Sequence, residues 1–176
     1  MAIDIILHPK DLNGGKIKPS SRLAMGDMVD ATMALDDARW DVVFFCAREV
    51  PPPPQAMSDR VRKVRAYSCA LDDAELTKEA AFLAAQAANI AARYFLTGAR
   101  VLVTCAAGKN RSALVTALAI DALTGEGGKT AAGLVRVKRT SLLNPPALTN
   151  GSFVVFLSQI EPRNVAAKMS KSTLVL

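Results

Sequence analysis

Histidine is almost missing from this chain. His8, close to the N-terminus, is the only one, so a histidine-based nucleophile triad has no base near the middle of the sequence, and no histidine and cysteine spacing suits a metal. His8 itself reads as a strand-end or surface residue. Cysteine is scarce as well: three residues, Cys46, Cys69 and Cys105, make an odd set that forms no disulfide framework. They are therefore expected as thiols in a reducing compartment, with the cytoplasm as the default. Long apolar runs are also lacking. The two longest stretches, 80–95 and 113–123, are interrupted by Gln86, Asn89, Arg93 and Asp121, so neither reads as a membrane span. The first residues, Met1-Ala-Ile-Asp-Ile-Ile, have no basic n-region of a secretory signal.

What is present suits one domain. A chain of 176 residues can bury a full core, and the expected domain covers residues 1–160, with 161–176 as an aperiodic, mobile basic tail. A net charge of +6 fits anionic partners: phosphoproteins, nucleotides, RNA ends or inositol phosphates. General solubility explains any single basic cluster equally well.

Along the chain, Ile3 to Leu7 reads as a strand before a Gly14-Gly15 turn. Asp27 to Trp40 follows as a helix, then Asp41 to Cys46 as a buried strand that ends before Pro51-Pro-Pro-Pro54. Val61 to Cys69, with Arg60, Arg62, Lys63 and Arg65 around it, suggests a basic-faced strand. Thr77 is a candidate cap for an alanine-rich helix over Lys78 to Thr97. Arg100 to Thr104 is a strand, a helix runs on to Thr124, another carries Arg136, Lys138 and Arg139, and a last one covers Gly151 to Ile160. Strands alternating with helices predict an α/β fold: a central, mainly parallel sheet with helices on both faces and a ligand site at the carboxyl end of a central strand. Gly125-Glu-Gly-Gly128-Lys129-Thr130 mimics a nucleotide-binding loop only in part, because position 123 is Leu where a glycine is needed and a helix precedes it. A helix-to-helix turn is expected there.

The chemistry concentrates in Val101-Leu-Val-Thr104-Cys105-Ala106-Ala107-Gly108-Lys109-Asn110-Arg111-Ser112. An apolar strand runs into a cysteine, a five-residue loop and an arginine, and an apolar helix follows. That layout gathers the loop N–H groups of residues 106–111 at a helix N-terminus, where a phosphate fits and a thiolate at Cys105 is favoured. Arg111 can clamp two phosphate oxygens with its planar fork. The Ser112 hydroxyl is placed to hydrogen-bond the sulfur.

This Cys-x5-Arg-Ser arrangement resembles the signature of the cysteine-dependent protein tyrosine phosphatases, and is most similar to the small dual-specificity group. The resemblance in element order covers roughly residues 20–160. It implies a cytoplasmic phosphomonoesterase that works through a phosphocysteine, without metal or cofactor, on a phosphorylated substrate, with a phosphoprotein foremost and RNA 5′-triphosphates or inositol phosphates as alternatives. A phosphate-binding module without turnover is the non-enzyme alternative. It also implies a general acid on a strand end upstream of the cysteine. Asp73, 32 residues before Cys105, matches that place, with Asp72 as the fallback. Lys109 resembles the loop lysine of tensin-type lipid phosphatases, and Asn110-Arg111 is similar to RNA 5′-triphosphatases. Phe45-Cys46-Ala-Arg-Glu49 resembles a tensin-type stretch whose cysteine forms a disulfide with the nucleophile, which makes Cys46 a candidate redox partner. One departure is Thr104, where the family has histidine; its hydroxyl is expected to bond loop carbonyls in that role.

Overall fold

The computed structural model describes residues 4–12, 17–36, 39–52, 64–139 and 146–163. In chain order they form β1 (Asp4–Leu7), a 3-10 turn (Pro9–Asp11), β2 (Arg22–Gly26), α1 (Met28–Asp36), β3 (Val42–Ala47) and β4 (Arg65–Leu71). Then come α2 (Lys78–Leu96), β5 (Arg100–Thr104), α3 (Arg111–Thr124), α4 (Gly128–Lys138) and α5 (Gly151–Ser158). The Gly14-Gly15 turn, Pro53 and Pro54, the basic residues Arg60, Arg62 and Lys63, and the tail from 164 onward lie outside the described residues.

The five strands make one sheet in the order β1-β2-β5-β3-β4. β2, β5, β3 and β4 are parallel, and β1 closes one edge antiparallel to β2. β5 is central, with Leu102 in register with Ala24 on one side and Val43 on the other. Because successive side chains on a strand alternate between faces, Leu23, Met25, Val42, Phe44, Val101 and Val103 enter the larger core beneath α2 to α5. Ala24, Val43, Phe45 and Leu102 meet Ala31 and Ala34 of α1, together with Trp40 beyond it, on the other face. Both faces are therefore covered, as the sequence predicts, and β5 ends at the middle of the sheet's carboxyl edge.

β2 has no counterpart in the sequence-based expectation. Arg22-Leu-Ala-Met-Gly26 contains no β-branched or aromatic residue, so its strand propensity is weak. Pairing along both of its edges, with β1 and β5, makes it a strand. Tertiary context decides here where local preference does not.

Local signals elsewhere hold. The Thr77 hydroxyl caps α2 by accepting from the Ala80 N–H at 3.2 Å, and the buried Ala84, Ala87, Ala88 and Ala91 present small side chains to the core. α3 is buried without interruption from Arg111 to Asp121, as a helix with neighbours on every side must be. Gly125, left-handed at φ 70°, ends α3, and Gly128 opens α4. The 125–130 segment is thus the expected turn between helices.

Leu102 is fully buried at the sheet's centre. Leu102→Ala should reduce the unfolding free energy by about 2–5 kcal/mol, measured by urea denaturation. A loss under about 1 kcal/mol would show that this face is not closely packed.

Candidate functional site: a cysteine loop at the carboxyl edge of the sheet

β5 delivers Cys105 to the sheet's carboxyl edge, the bend 106–110 reverses the chain, and α3 starts at Arg111. Gly108 makes the reversal possible in two ways. Its φ is +57°, and a Cβ there would stand 2.7 Å from Arg139 Nη2 and 2.8 Å from the carbon and oxygen of the Gly26 carbonyl. The loop thus rests on the end of β2 and on a buried arginine of the α4 C-terminus. Arg139 also donates to the Met25 carbonyl at 3.4 Å. On the adjoining side, the Met28 N–H at the start of α1 reaches the Ala106 carbonyl at 3.4 Å. Asp27 and Asp30 cap that helix reciprocally, each carboxylate accepting the other's N–H at 3.0 Å.

The expected nucleophile and its serine come together: Cys105 Sγ and Ser112 Oγ are 3.2 Å apart, both buried. Arg111 is 6% exposed. Its Nη1 donates to Glu49 Oε2 at 2.6 Å and to the Leu71 carbonyl at 3.3 Å, while its Nε has no hydrogen-bond partner among the described residues. Burial works against its charge, but the Glu49 hydrogen bond and the nearby Cys105, Glu49 and Asp73 outweigh this and raise its proton affinity. In return, the Arg111 hydrogen bond holds the Glu49 carboxyl below its usual range, so the pair is ionised. A buried, charged fork whose Nε–H is unpaired among the described residues, next to a thiol at a helix N-terminus, is suited to a tetrahedral oxyanion.

Asp73 sits on the loop after β4 and reaches the cysteine loop directly: its Oδ2 accepts from Asn110 Nδ2 at 3.0 Å, and its Oδ1 from Asn150 Nδ2 at 3.0 Å. Asp72 is held at the surface, where both its oxygens accept from Arg48 Nε at 2.9 and 3.0 Å. Of the two aspartates, only Asp73 is thereby linked to the loop. Ala106 and Lys109 are half-buried and Ala107 is exposed, and the Lys109 carbonyl accepts the Leu148 N–H at 3.0 Å.

Thr104 departs from expectation. Its hydroxyl donates to the Phe44 carbonyl on β3 at 2.9 Å, not to the loop. As the last residue of β5 it is in register with Phe45, so the neighbouring strand is the nearest acceptor. Glu49, Thr149 and Asn150 were not among the expected site residues. Only the Arg48-Glu49 dipeptide after the β3 strand end hinted at the first. The other two lie about 40 residues beyond the loop, where no local pattern points to it.

Cys46 and Cys105 line one small cavity together with Met28, Phe45, Ala47, Val50 and Thr104. The register explains this, because each follows one member of the Phe45–Thr104 pair on adjacent parallel strands. Burial, and next a hydrogen bond with Cys69, push the Cys46 thiol well up, so it is protonated. Cys69 Sγ also reaches the Leu83 carbonyl at 3.7 Å.

No protein-family model matches this chain, and no curated protein matches its sequence. Solved structures do match its fold. Tk-PTP in its active form shares 21% identity over 82% of this chain and 98% of its own, with a TM-score of 0.59. A mouse putative dual specificity phosphatase complexed with zinc tungstate shares 20% over 88% and 89%, with a TM-score of 0.63. PTPMT1 in complex with PI(5)P shares 13% over 90% and 93%, with a TM-score of 0.62. The fold is that of the dual-specificity and tyrosine phosphatases, as the resemblance in the loop implied.

Gly108→Ala combines left-handed strain, on the order of 1–3 kcal/mol, with a clash against backbone. Tungstate affinity should fall about tenfold or more, read by calorimetry, with a lowered melting temperature. Unchanged affinity would show that the loop tolerates a side chain at this point.

Proposed function

We propose that this chain is a phosphomonoesterase of the dual-specificity type, acting through a phosphocysteine at Cys105. The observation that carries the reading is the buried Arg111, ionised and with Nε unpartnered among the described residues, beside a thiol that is 3.2 Å from a serine hydroxyl. In the first step the Cys105 thiolate attacks phosphorus. The P–O bond to the leaving group breaks, and Asp73 delivers its proton to the departing oxygen. In the second step the Asp73 carboxylate takes a proton from water, the resulting oxygen nucleophile attacks the phosphocysteine, and the P–S bond breaks with Ser112 hydrogen-bonding the returning thiolate. Arg111 and the loop N–H groups of residues 106–111 hold the equatorial oxygens throughout. No metal or other cofactor takes part in this scheme.

A phosphoprotein is the substrate class we favour. The net charge of +6 and the phosphatase fold support a phosphorylated, anionic partner. The resemblance of Asn110 to RNA 5′-triphosphatases loses its weight in the structure, since that amide is engaged with Asp73 and Thr149. A working thiolate needs reducing surroundings, so the cytoplasm is the proposed location. Among the described residues no helix is long and apolar enough to cross a membrane.

Cys46 is proposed as the thiol that protects the nucleophile. Peroxide oxidises the Cys105 thiolate to sulfenic acid, releasing hydroxide; the Cys46 thiol then displaces water to form the disulfide. Adjacent strands lie about 4.8 Å apart, within the Cα separation of about 7 Å beyond which a bridge cannot form.

Cys105→Ser should abolish turnover of phosphotyrosine and phosphoserine peptides assayed in chelator, while tungstate binding stays nearly intact. Residual turnover at the wild-type rate would overturn the mechanism. Asp73→Asn should lower kcat by roughly two to four orders of magnitude on poor leaving groups, and Asp72→Asn should not; an equal loss in both, or a loss in Asp72→Asn alone, reverses the assignment. Mild peroxide followed by non-reducing peptide mapping should yield a reversible Cys46–Cys105 link. Direct progress of Cys105 to sulfinic acid, or pairing with Cys69, would remove Cys46 from that role.

A further inference from the structure

Asn110 belongs to the cysteine loop, yet its side-chain amide turns to other elements. Nδ2 donates to Asp73 Oδ2 at 3.0 Å, while Oδ1 accepts from the Thr149 N–H at 2.8 Å, the Thr149 hydroxyl at 3.2 Å and the Asn150 N–H at 3.1 Å. The residue is only 8% exposed. Its backbone carbonyl is fixed too, since it accepts the Leu114 N–H at 2.8 Å as α3 begins. Asn150 completes the arrangement: its Nδ2 donates to Asp73 Oδ1 at 3.0 Å and to the Ala74 carbonyl at 2.9 Å, and its Oδ1 caps α5 by accepting from Ser152 N–H at 3.0 Å. Each carboxylate oxygen of Asp73 thus meets one amide, and each amide is anchored at its other end to backbone.

The loop from Asp72 to Glu75 is exposed and has no helix or strand of its own. A carboxyl group on such a segment samples many positions unless something immobile holds it. Proton delivery requires it within hydrogen-bond reach of the leaving oxygen, and a misplacement of about 1 Å can cost about a hundredfold in rate. Asn110 is the one loop residue whose side chain is bonded to Asp73, and it immediately precedes the arginine clamp.

We infer that Asn110 is a positioning residue that fixes the Asp73 carboxyl relative to the phosphate-binding loop, and that its side chain is not a phosphate ligand. This rests on the phosphatase reading above. An Asn110 that set the acid's place affects leaving-group departure, whereas one that bound phosphate affects oxyanion affinity with every substrate.

The test compares an unactivated aryl phosphate with nitrophenyl phosphate, whose leaving group needs little protonation. Asn110→Ala should lower kcat about tenfold to a hundredfold on the first and less than about threefold on the second. KM on both substrates and tungstate inhibition should be unchanged. In an Asp73→Asn background the same substitution should cost no more than about twofold further, since the two act as one unit. Asn110→Ser adds no charge to the loop, keeps a small polar side chain and removes the amide donor to Asp73. It should give the same pattern, and it replaces the alanine variant if that one melts below assay temperature. Equal losses on both substrates, weakened tungstate inhibition, or full additivity with Asp73→Asn would overturn the inference alone. A wild-type chain without Cys105-dependent turnover would overturn the phosphatase reading and this inference with it.

Discussion

A guanidinium buried at the end of a sheet must be balanced, because an unpaired buried charge is strongly destabilising. Arg111, carried by the loop after β5, sits there, and its hydrogen-bond partners come from two other strand ends: Glu49 after β3 and the Leu71 carbonyl at the end of β4. Satisfying this one side chain therefore aligns the carboxyl ends of three adjacent parallel strands. Glu49 is 54% exposed at its side chain, so the ion pair is partly open to solvent and its strength is screened. The carboxylate balances the guanidinium charge and orients Nη1, while Nε stays unpaired among the described residues.

The second constraint is the approach of the loop to the strand beneath it. Gly108 lies against the Gly26 carbonyl and the buried Arg139, so the loop's shape depends on β2, the strand that local sequence preference does not reveal. β2 in turn is held by pairing with β5. The strand that delivers Cys105 and the floor of its loop are consequently hydrogen-bonded neighbours, and a weak strand former is stabilised by the element whose loop it supports.

Contiguous features were legible in the sequence. The Val-Leu-Val strand, the glycine at the tight point, the cysteine, arginine and serine, and the apolar helix all lie within one stretch, where period and spacing carry the information. The Thr77 cap and the turn at Gly125 to Gly128 were legible for the same reason. Three things were not. β2 lacks β-branched residues and is made by its neighbours. The Thr104 hydroxyl turned to β3 because the parallel register places a carbonyl there. Glu49, Thr149 and Asn150 meet the loop only after folding, across separations that no local pattern encodes. Resemblance alone favours Asp73 over Asp72; the structure adds a physical difference, since Asp72 is engaged by Arg48 at the surface while Asp73 is tied to Asn110.

The proposed phosphatase chemistry requires a covalent bond between phosphorus and Cys105. Wild-type protein quenched during turnover of an aryl phosphate, digested and examined by mass spectrometry should carry a phosphoryl group on the peptide containing Cys105, with the adduct absent when substrate is omitted. Sustained turnover with no adduct on that peptide, or with phosphate recovered on any other residue, would contradict it.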